Sequence, residues 1–136
     1  MPQEHIEEYL EAIYDIAGQD GIAKTTEIAE RLNNAPASVT EVFQRMKQKG
    51  LVRYEPHRGV TLTTKGYNAA LKMKRKHRLL EVFLDKMLHL PSDKVHEQAC
   101  KMEHALTDET ETALCKTLKG PTECPHGSPI PPCNLE

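Results

Sequence analysis

The stretch from Thr25 to Thr63, "TTEIAERLNNAPASVTEVFQRMKQKGLVRYEPHRGVTLT", restricts the fold more than any other part of the chain. "TTEIAERLN" has the apolar spacing of a short helix, with Thr25 or Thr26 as its expected N-cap. "NAPA" interrupts it, because Pro36 disfavours helical backbone at Ala35. A second helix is expected from about Ala37, with Val39, Val42, Phe43 and Met46 inward and Gly50 as its C-cap. "LVRYEPHRGVTLT" then offers two β-rich runs around a Pro56-His57-Arg58-Gly59 turn, which is a hairpin. Two helices joined by a short break and followed by a hairpin predict a winged helix-turn-helix.

The flanking segments are helical. In "HIEEYLEAIYDIAG", Ile6, Tyr9, Leu10 and Ile13 form an apolar stripe opposite Glu7, Glu8 and Glu11, and the helix is expected to end near Gly18. "TKGYNAALKMKRKHRLLEVFLDKML", from Thr64, reads as one long helix, basic at first and apolar from Leu79. Pro91 starts a new segment in which Ser92 caps a helix carrying "KVHEQACKMEHAL", and a further helix is expected from about Asp108 to Leu118. The tail "KGPTECPHGSPIPPCNLE" has five prolines and two glycines and is expected to be an extended arm. The expected fold class is mainly α. Its expected parts are a winged helix-turn-helix DNA-binding domain (1–63), a helical metal-binding and dimerisation domain (64–120) and a Pro/Cys-rich arm (121–136).

Charge enters because the total hides its distribution. Net charge is −2, yet residues 1–22 carry six acids and no Lys or Arg, residues 23–78 carry thirteen bases against four acids, and residues 79–136 carry five bases against ten acids. A basic centre between acidic flanks suits a chain that meets phosphates with one part and a cation with another. On a helix-turn-helix, the residues near the start of the second helix reach base edges. Here they are Ala35, Ala37, Ser38, Thr40 and Glu41, with no Arg or Asn for bidentate readout. Affinity for double-stranded operator DNA is therefore expected from phosphate contacts by Lys24, Arg45, Lys47, Lys49 and Arg58, with the Ser38 and Thr40 hydroxyls as neutral donors. A basic helical surface that is merely solvated is the bland rival.

The second constellation is metal-ligating. His96, Cys100, Glu103 and His104 fall within "KVHEQACKMEHAL", and on a helix Cys100, Glu103 and His104 share a face with His96 one turn earlier. His77 and Glu81 are spaced i, i+4, and Glu8 and Glu11 i, i+3. Three expected helices thus each present a face of ligand-type residues; so many carboxylates and imidazoles clustered in a small core demand a counter-ion, and a divalent cation meets that demand.

"EEYLEAIY", "IAERLNNAPASVTEVFQRMKQKGLV", "RGVTLTTKG", "KRKHRLLEVFL" and "KVHEQACKMEHALTDE" resemble the diphtheria-toxin-repressor family of metal-dependent transcriptional repressors, from about Ile6 to Pro131. The resemblance implies a homodimer in which metal locks a winged helix-turn-helix and a helical dimerisation domain into a DNA-competent arrangement. It places the regulatory site on Glu8, Cys100, Glu103 and His104, and an ancillary site on His77, Glu81 and His96. The manganese branch implies another set: Glu8, Glu11, His77, Glu103 and His104. Cys100 matches the iron branch, whereas Glu8 stands where that branch usually has methionine. Longer relatives continue past the segment matching "PHGSPIP" into an SH3-like domain, so this chain resembles a short form in which ancillary ligands from that domain are not expected.

The thiol of Cys100 suits Fe(II), Co(II), Ni(II) or Zn(II) better than Mn(II), while the carboxylates pull towards Mn(II). Fe(II) is the expected activator, Mn(II) the alternative, and Zn(II), Co(II) or Ni(II) substitutes in vitro. A metal-independent winged-helix regulator with a structural ligand cluster is a further alternative. No independent nucleophile or general base accompanies the cluster, so an enzyme is not expected. The sequence has no apolar run approaching ~20 residues, and its start is acidic rather than a basic leader, so no membrane partner and a cytoplasmic location are expected. In that compartment Cys100, Cys115, Cys124 and Cys133 are expected to be reduced. Cys124, His126 and Cys133, with or without Cys115, are the residues from which a second metal or redox site could be built, although C-x-H-x₆-C matches no established zinc spacing.

Overall fold

The computed structural model of the chain describes residues 3–133. Residues 1–2 of the expected DNA-binding domain and 134–136 of the expected arm lie outside the described residues. The elements run α1 (Gln3–Ala17), α2 (Thr25–Leu32), α3 (Pro36–Gln48), β1 (Val52–Glu55), β2 (Gly59–Leu62), α4 (Thr64–Lys86), α5 (Ser92–Met102) and α6 (Asp108–Thr117), with a 3-10 turn at Glu103–Ala105. The fold is mainly α, as expected. Two compact units, Met1–Ala70 and Leu71–Glu136, divide the chain, and the division falls inside α4.

In the first unit, the helix-turn-helix rests on the apolar stripe read from the sequence. Ile6, Leu10, Ile13, Ile28, Val39, Phe43 and Met46 are buried. The Phe43 ring meets Tyr9 edge-on, with centroids 6.2 Å apart, and tilts against Tyr54 at 5.7 Å. The cap of α2 is Lys24 rather than either threonine, and its N–H donates to Glu27 Oε1 at 2.9 Å. A carboxylate three residues into the helix thus satisfies the entry backbone and leaves both threonines inside the first turn. Asn33 closes α2 in the left-handed region at φ 55°, and Pro36 opens α3, where a missing N–H costs nothing.

The hairpin is antiparallel, with Val52 opposite Leu62 and Glu55 opposite Gly59. Val60 also exchanges two backbone hydrogen bonds of 2.9 Å with Ala23. Gly59 has φ +122°, and a Cβ there would run into the Ala23 carbonyl oxygen, so only glycine lets the wing reach that strand-like residue.

In the second unit, α4 packs two apolar sets. Leu79 and Val82 join Cys115, Cys124 and Ile130, while Leu80 and Leu84 join Val95 and Ala99. Cys124 and Ile130 are buried, so the tail is not the extended arm its prolines suggested. It folds back as a tight turn held by Cys124 N–H to the Ser128 carbonyl and Ile130 N–H to the Thr122 carbonyl, both 2.9 Å. This closure brings Cys133 to Cys115, and the two form a disulfide with Cα atoms 6.1 Å apart, against the expectation of reduced thiols. Bases counted as a DNA-facing reserve are also engaged here. Arg75 pairs with Glu111 at 2.7 Å, Lys72 with Asp108 at 2.6 Å, Lys76 donates to the Leu106 carbonyl at 2.7 Å, and Arg78 donates to the Pro129 carbonyl.

Candidate metal centre

The centre of the second unit is built from one turn of α4, one turn of α5 and the 3-10 turn that ends it. On α4, His77 and Glu81 stack one helical turn apart, both buried. On α5, His96 and Cys100 also stack one turn apart, His96 exposed and Cys100 half-buried, with His96 Nε2 3.6 Å from Cys100 Sγ. The two pairs face each other, since His77 Nε2 lies 3.1 Å from His96 Nδ1. One ligand atom each from His77, His96 and Cys100 fits within a 4.8 Å group. Glu103 and His104 do not continue α5 as expected. The backbone tightens into a 3-10 turn there, which turns the buried Glu103 carboxylate towards His77, with Oε2 3.5 Å from Nδ1. The side chain of His104 is largely buried beside it, Nε2 3.8 Å from Glu103 Oε1.

The electrostatics of this cluster are those of a cation site. Burial alone would pull the His77 imidazole down, but Cys100, Glu103 and Glu81 outweigh it and push its pKa up to about 12. Burial likewise opposes the Glu81 charge, yet the His77, His126 and His96 rings hold its carboxyl below the ordinary range. Two buried oxygens, Glu81 Oε2 and Glu103 Oε2, have no hydrogen-bond partner. His126 Nδ1 lies 2.9 Å from Glu81 Oε2, an ion-pair distance without the angles of a hydrogen bond. Orphaned buried carboxylate oxygens are costly. With two imidazoles and a thiol within reach of them, the donor set fits a divalent transition metal.

Cys124 and His126, set apart in the sequence as candidates without an assigned group, join Glu81 in a second group within 4.8 Å. Their spacing could not reveal this, because the contact depends on how the Pro-rich turn folds back. Cys133 and Cys115, considered alongside them, are consumed by their disulfide.

Glu8 and Glu11 lie on α1 in the first unit, Glu8 exposed and Glu11 half-buried. The expected DNA-facing residues are also in that unit. Ala35, Ala37, Ser38 and Glu41 are exposed at the start of α3, as are Lys24, Lys47, Lys49 and Arg58. Thr40 is half-buried, and its hydroxyl donates to the Pro36 carbonyl at 3.1 Å, which removes it from the free phosphate donors. Arg45 leans on Glu41 at 3.6 Å and Arg58 on Glu55 at 3.2 Å, exposed pairs that a phosphate can displace. Lys24, Thr40, Arg58 and Gly59 help line one cleft between α2, α3 and the wing.

The model of the iron dependent repressor N-terminal DNA binding domain matches residues 1–60, and that of the iron dependent repressor metal binding and dimerisation domain matches residues 63–132. The chain belongs to the iron dependent repressor family. Within this family, the iron-dependent repressor IdeR of Mycobacterium leprae is 40% identical over 125 residues, 92% of this chain and 54% of that protein. An uncharacterised HTH-type transcriptional regulator of Methanocaldococcus jannaschii is 45% identical over 105 residues, 76% of this chain and 84% of its own length. Among solved structures, a manganese-dependent transcriptional repressor in complex with manganese is similar at TM-score 0.82 and 37% identity, covering 92% of this chain and 57% of that one. The chain spans about half the length of the curated iron-dependent relatives it matches. The iron dependent repressor family is one of DNA-binding repressors rather than enzymes.

Proposed function

We propose that this chain is a metal-dependent transcriptional repressor, activated by Fe(II), that acts as a homodimer on operator DNA in the cytoplasm. The observation that carries this reading is the pair of buried carboxylate oxygens without a hydrogen-bond partner, on Glu81 and Glu103, beside the buried His77, the half-buried Cys100 and the exposed His96. A purely structural cluster would be selected for satisfied hydrogen bonds, and this one leaves two buried carboxylate oxygens with ion-pair contacts but no hydrogen bond. The helix-turn-helix and its exposed lysines supply the DNA-facing half.

Glu8, Cys100, Glu103 and His104 are assigned as the coupling ligands, with Glu11 as a further ligand in the manganese-type set, and His77, Glu81 and His96 as the ancillary set. A divalent cation held by these residues would add positive charge beside their carboxylates. The rest is done by the chain. Glu8 and Glu11 belong to α1, which packs on the recognition helix through Tyr9 and Phe43, so fixing them fixes that helix. In a symmetric dimer the two recognition helices must then match half-sites about one DNA turn apart, ~34 Å. A ligand shifts this equilibrium only through its differential affinity for the two arrangements, typically about 1–3 kcal/mol of coupling.

Cys100 decides between metals. A thiolate beside two imidazoles favours Fe(II) over the harder Mn(II). The carboxylates Glu8, Glu11, Glu81 and Glu103 support the second reading, a manganese-responsive repressor, and the similarity to a manganese-dependent repressor supports it too. A reporter driven by the gene's own promoter tests the function. Expression that falls with added iron, and rises with chelator only when the protein is present, is expected. Expression indifferent to metal would overturn it.

A further inference from the structure

We propose that Cys115 and Cys133 form a reversible thiol–disulfide latch. A peroxide-class oxidant closes it, a dithiol reductant opens it, and its state decides how firmly the folded-back tail holds to α4. The proposal rests on the cytoplasmic location proposed for this chain, because a disulfide in that compartment is ordinarily transient and redox-sensing rather than a permanent staple.

The fold keeps the two cysteines within reach of each other without the bond. After α6 the backbone reverses through Lys119 and Gly120, both at positive φ, and the Gly120 N–H returns to the Cys115 carbonyl at 2.8 Å. The tail then meets α4, where Arg75 donates to the Pro132 carbonyl at 3.1 Å and Arg78 to the Pro129 carbonyl. These contacts involve no sulfur, so they hold the residues before Cys133 near α6 when the thiols are reduced, and the pair can close again.

The disulfide adds permanence. Among residues 119–133 the buried side chains are Cys124 and Ile130, in one apolar cluster with Leu79 and Val82 of α4. So small an apolar contact offsets little of the entropy of ordering the segment, whereas a crosslink removes many of the competing open arrangements. The consequence reaches the candidate metal centre, because the same turn carries His126, whose Nδ1 lies 2.9 Å from the buried Glu81 carboxylate. Opening the latch lets that imidazole leave Glu81.

The two sulfurs differ in access. Cys133 is half-buried and Cys115 is 2% exposed, so both reactions begin at Cys133. In closing, the Cys133 thiolate attacks one oxygen of the peroxide to give a sulfenic acid, and the Cys115 thiol displaces that oxygen. Two thiols and one hydrogen peroxide become one disulfide and two waters. In opening, a thiolate of the reductant attacks Cys133 Sγ, and Cys115 leaves and takes up a proton. The reductant's second thiol then releases Cys133 as its own disulfide forms. The bland rival is a disulfide that never opens in the folded chain.

The test compares the full chain after dithiothreitol, the same chain after reductant is replaced by one equivalent of hydrogen peroxide, and Cys133→Ser. Pulsed alkylation without denaturant, resolved by peptide mass spectrometry, is expected to label Cys124 about 10-fold faster in the reduced chain and in Cys133→Ser, where local opening is unrestrained. Anaerobic DNA binding, with reagents removed and Cys100 shown to be unmodified, is expected to need about 5-fold less Fe(II) in the oxidised chain, the lower end of ordinary coupling between sites. Cys133→Ser is expected to match the reduced chain and to ignore peroxide. A disulfide that dithiothreitol cannot open without denaturant, thiols that peroxide cannot close, or equal Cys124 labelling in the two states would overturn the latch. Unequal labelling with equal Fe(II) thresholds would overturn its reach to the metal centre. Either result, with metal-dependent DNA binding intact, leaves the proposed function standing. DNA binding that ignores metal in both redox states removes the proposed function, while the labelling still decides the latch.

Discussion

His77 Nδ1 lies 3.5 Å from Glu103 Oε2, so an imidazole on α4 answers a buried carboxylate on the turn after α5. With Glu81 on its other side at 3.4 Å, this ring is the internal counter-ion of two acids. Burial pulls its pKa down, and Cys100 together with these two acids raises it.

Removing that counter-charge should expose the cost of the cluster. His77→Ala leaves Glu81 and Glu103 buried without it, and a broken buried pair typically costs about 3–5 kcal/mol. Urea unfolding in chelator is expected to show a loss of about 3 kcal/mol. A loss near zero would mean that the two carboxylates are solvated rather than buried.

Lys47 is exposed on α3 and carries no assigned base contact. Lys47→Ala is expected to weaken DNA binding about equally for operator and unrelated sequence, and to lower the slope of log affinity against log salt by about 1. Titrations at several salt concentrations check this. A loss confined to the operator would make Lys47 a base reader instead.

Asp108 offers a pH signature outside the candidate metal groups. Lys72 and Lys76 hold its carboxyl below the ordinary range. A depressed folded pKa contributes stability that is present above the unfolded value, near 3.8, and is lost as pH falls through the folded value. Asp108 is exposed, so solvent screening limits the effect to roughly 0.5 kcal/mol. Asp108→Asn is therefore expected to be slightly less stable than wild type at neutral pH, and the gap to close at the acid end of a denaturation series. A gap that widened on acidification would contradict the assignment.

The Cys115–Cys133 disulfide closes a loop over a sequence separation of 18. Loops of about that size contribute about 3 kcal/mol through the unfolded chain. Cys133→Ser, or reduction of the wild type, is expected to lower stability by about that amount and to loosen the segment that carries His126. Unfolding with and without reductant measures it.

The parts legible in the sequence are those in which neighbours in sequence remain neighbours in space. The apolar stripe of α1, the break at Pro36 and the hairpin around His57 all follow from local periodicity and turn chemistry. So does the stacking of His77 on Glu81 and of His96 on Cys100. The 3-10 turn at Glu103 was hidden, because tertiary contacts rather than propensity bend the chain there. The folded tail was hidden for a related reason: its prolines exclude helix and sheet without saying where the segment packs. Its anchors are Arg75 and Arg78 on the distant α4 and Cys115 on α6. The same contacts explain why the basic run of α4 overstated the charge left for DNA.

The most direct test of the account is anaerobic binding of fluorescent promoter DNA, in chelator and then with Fe(II), by wild type, Glu8→Ala and His104→Ala. The account predicts that wild type gains affinity about 5–150-fold with metal, whereas both variants remain folded dimers that bind with chelator-level affinity throughout. Metal-dependent binding retained by both variants, or wild-type binding equally tight in chelator, would contradict it.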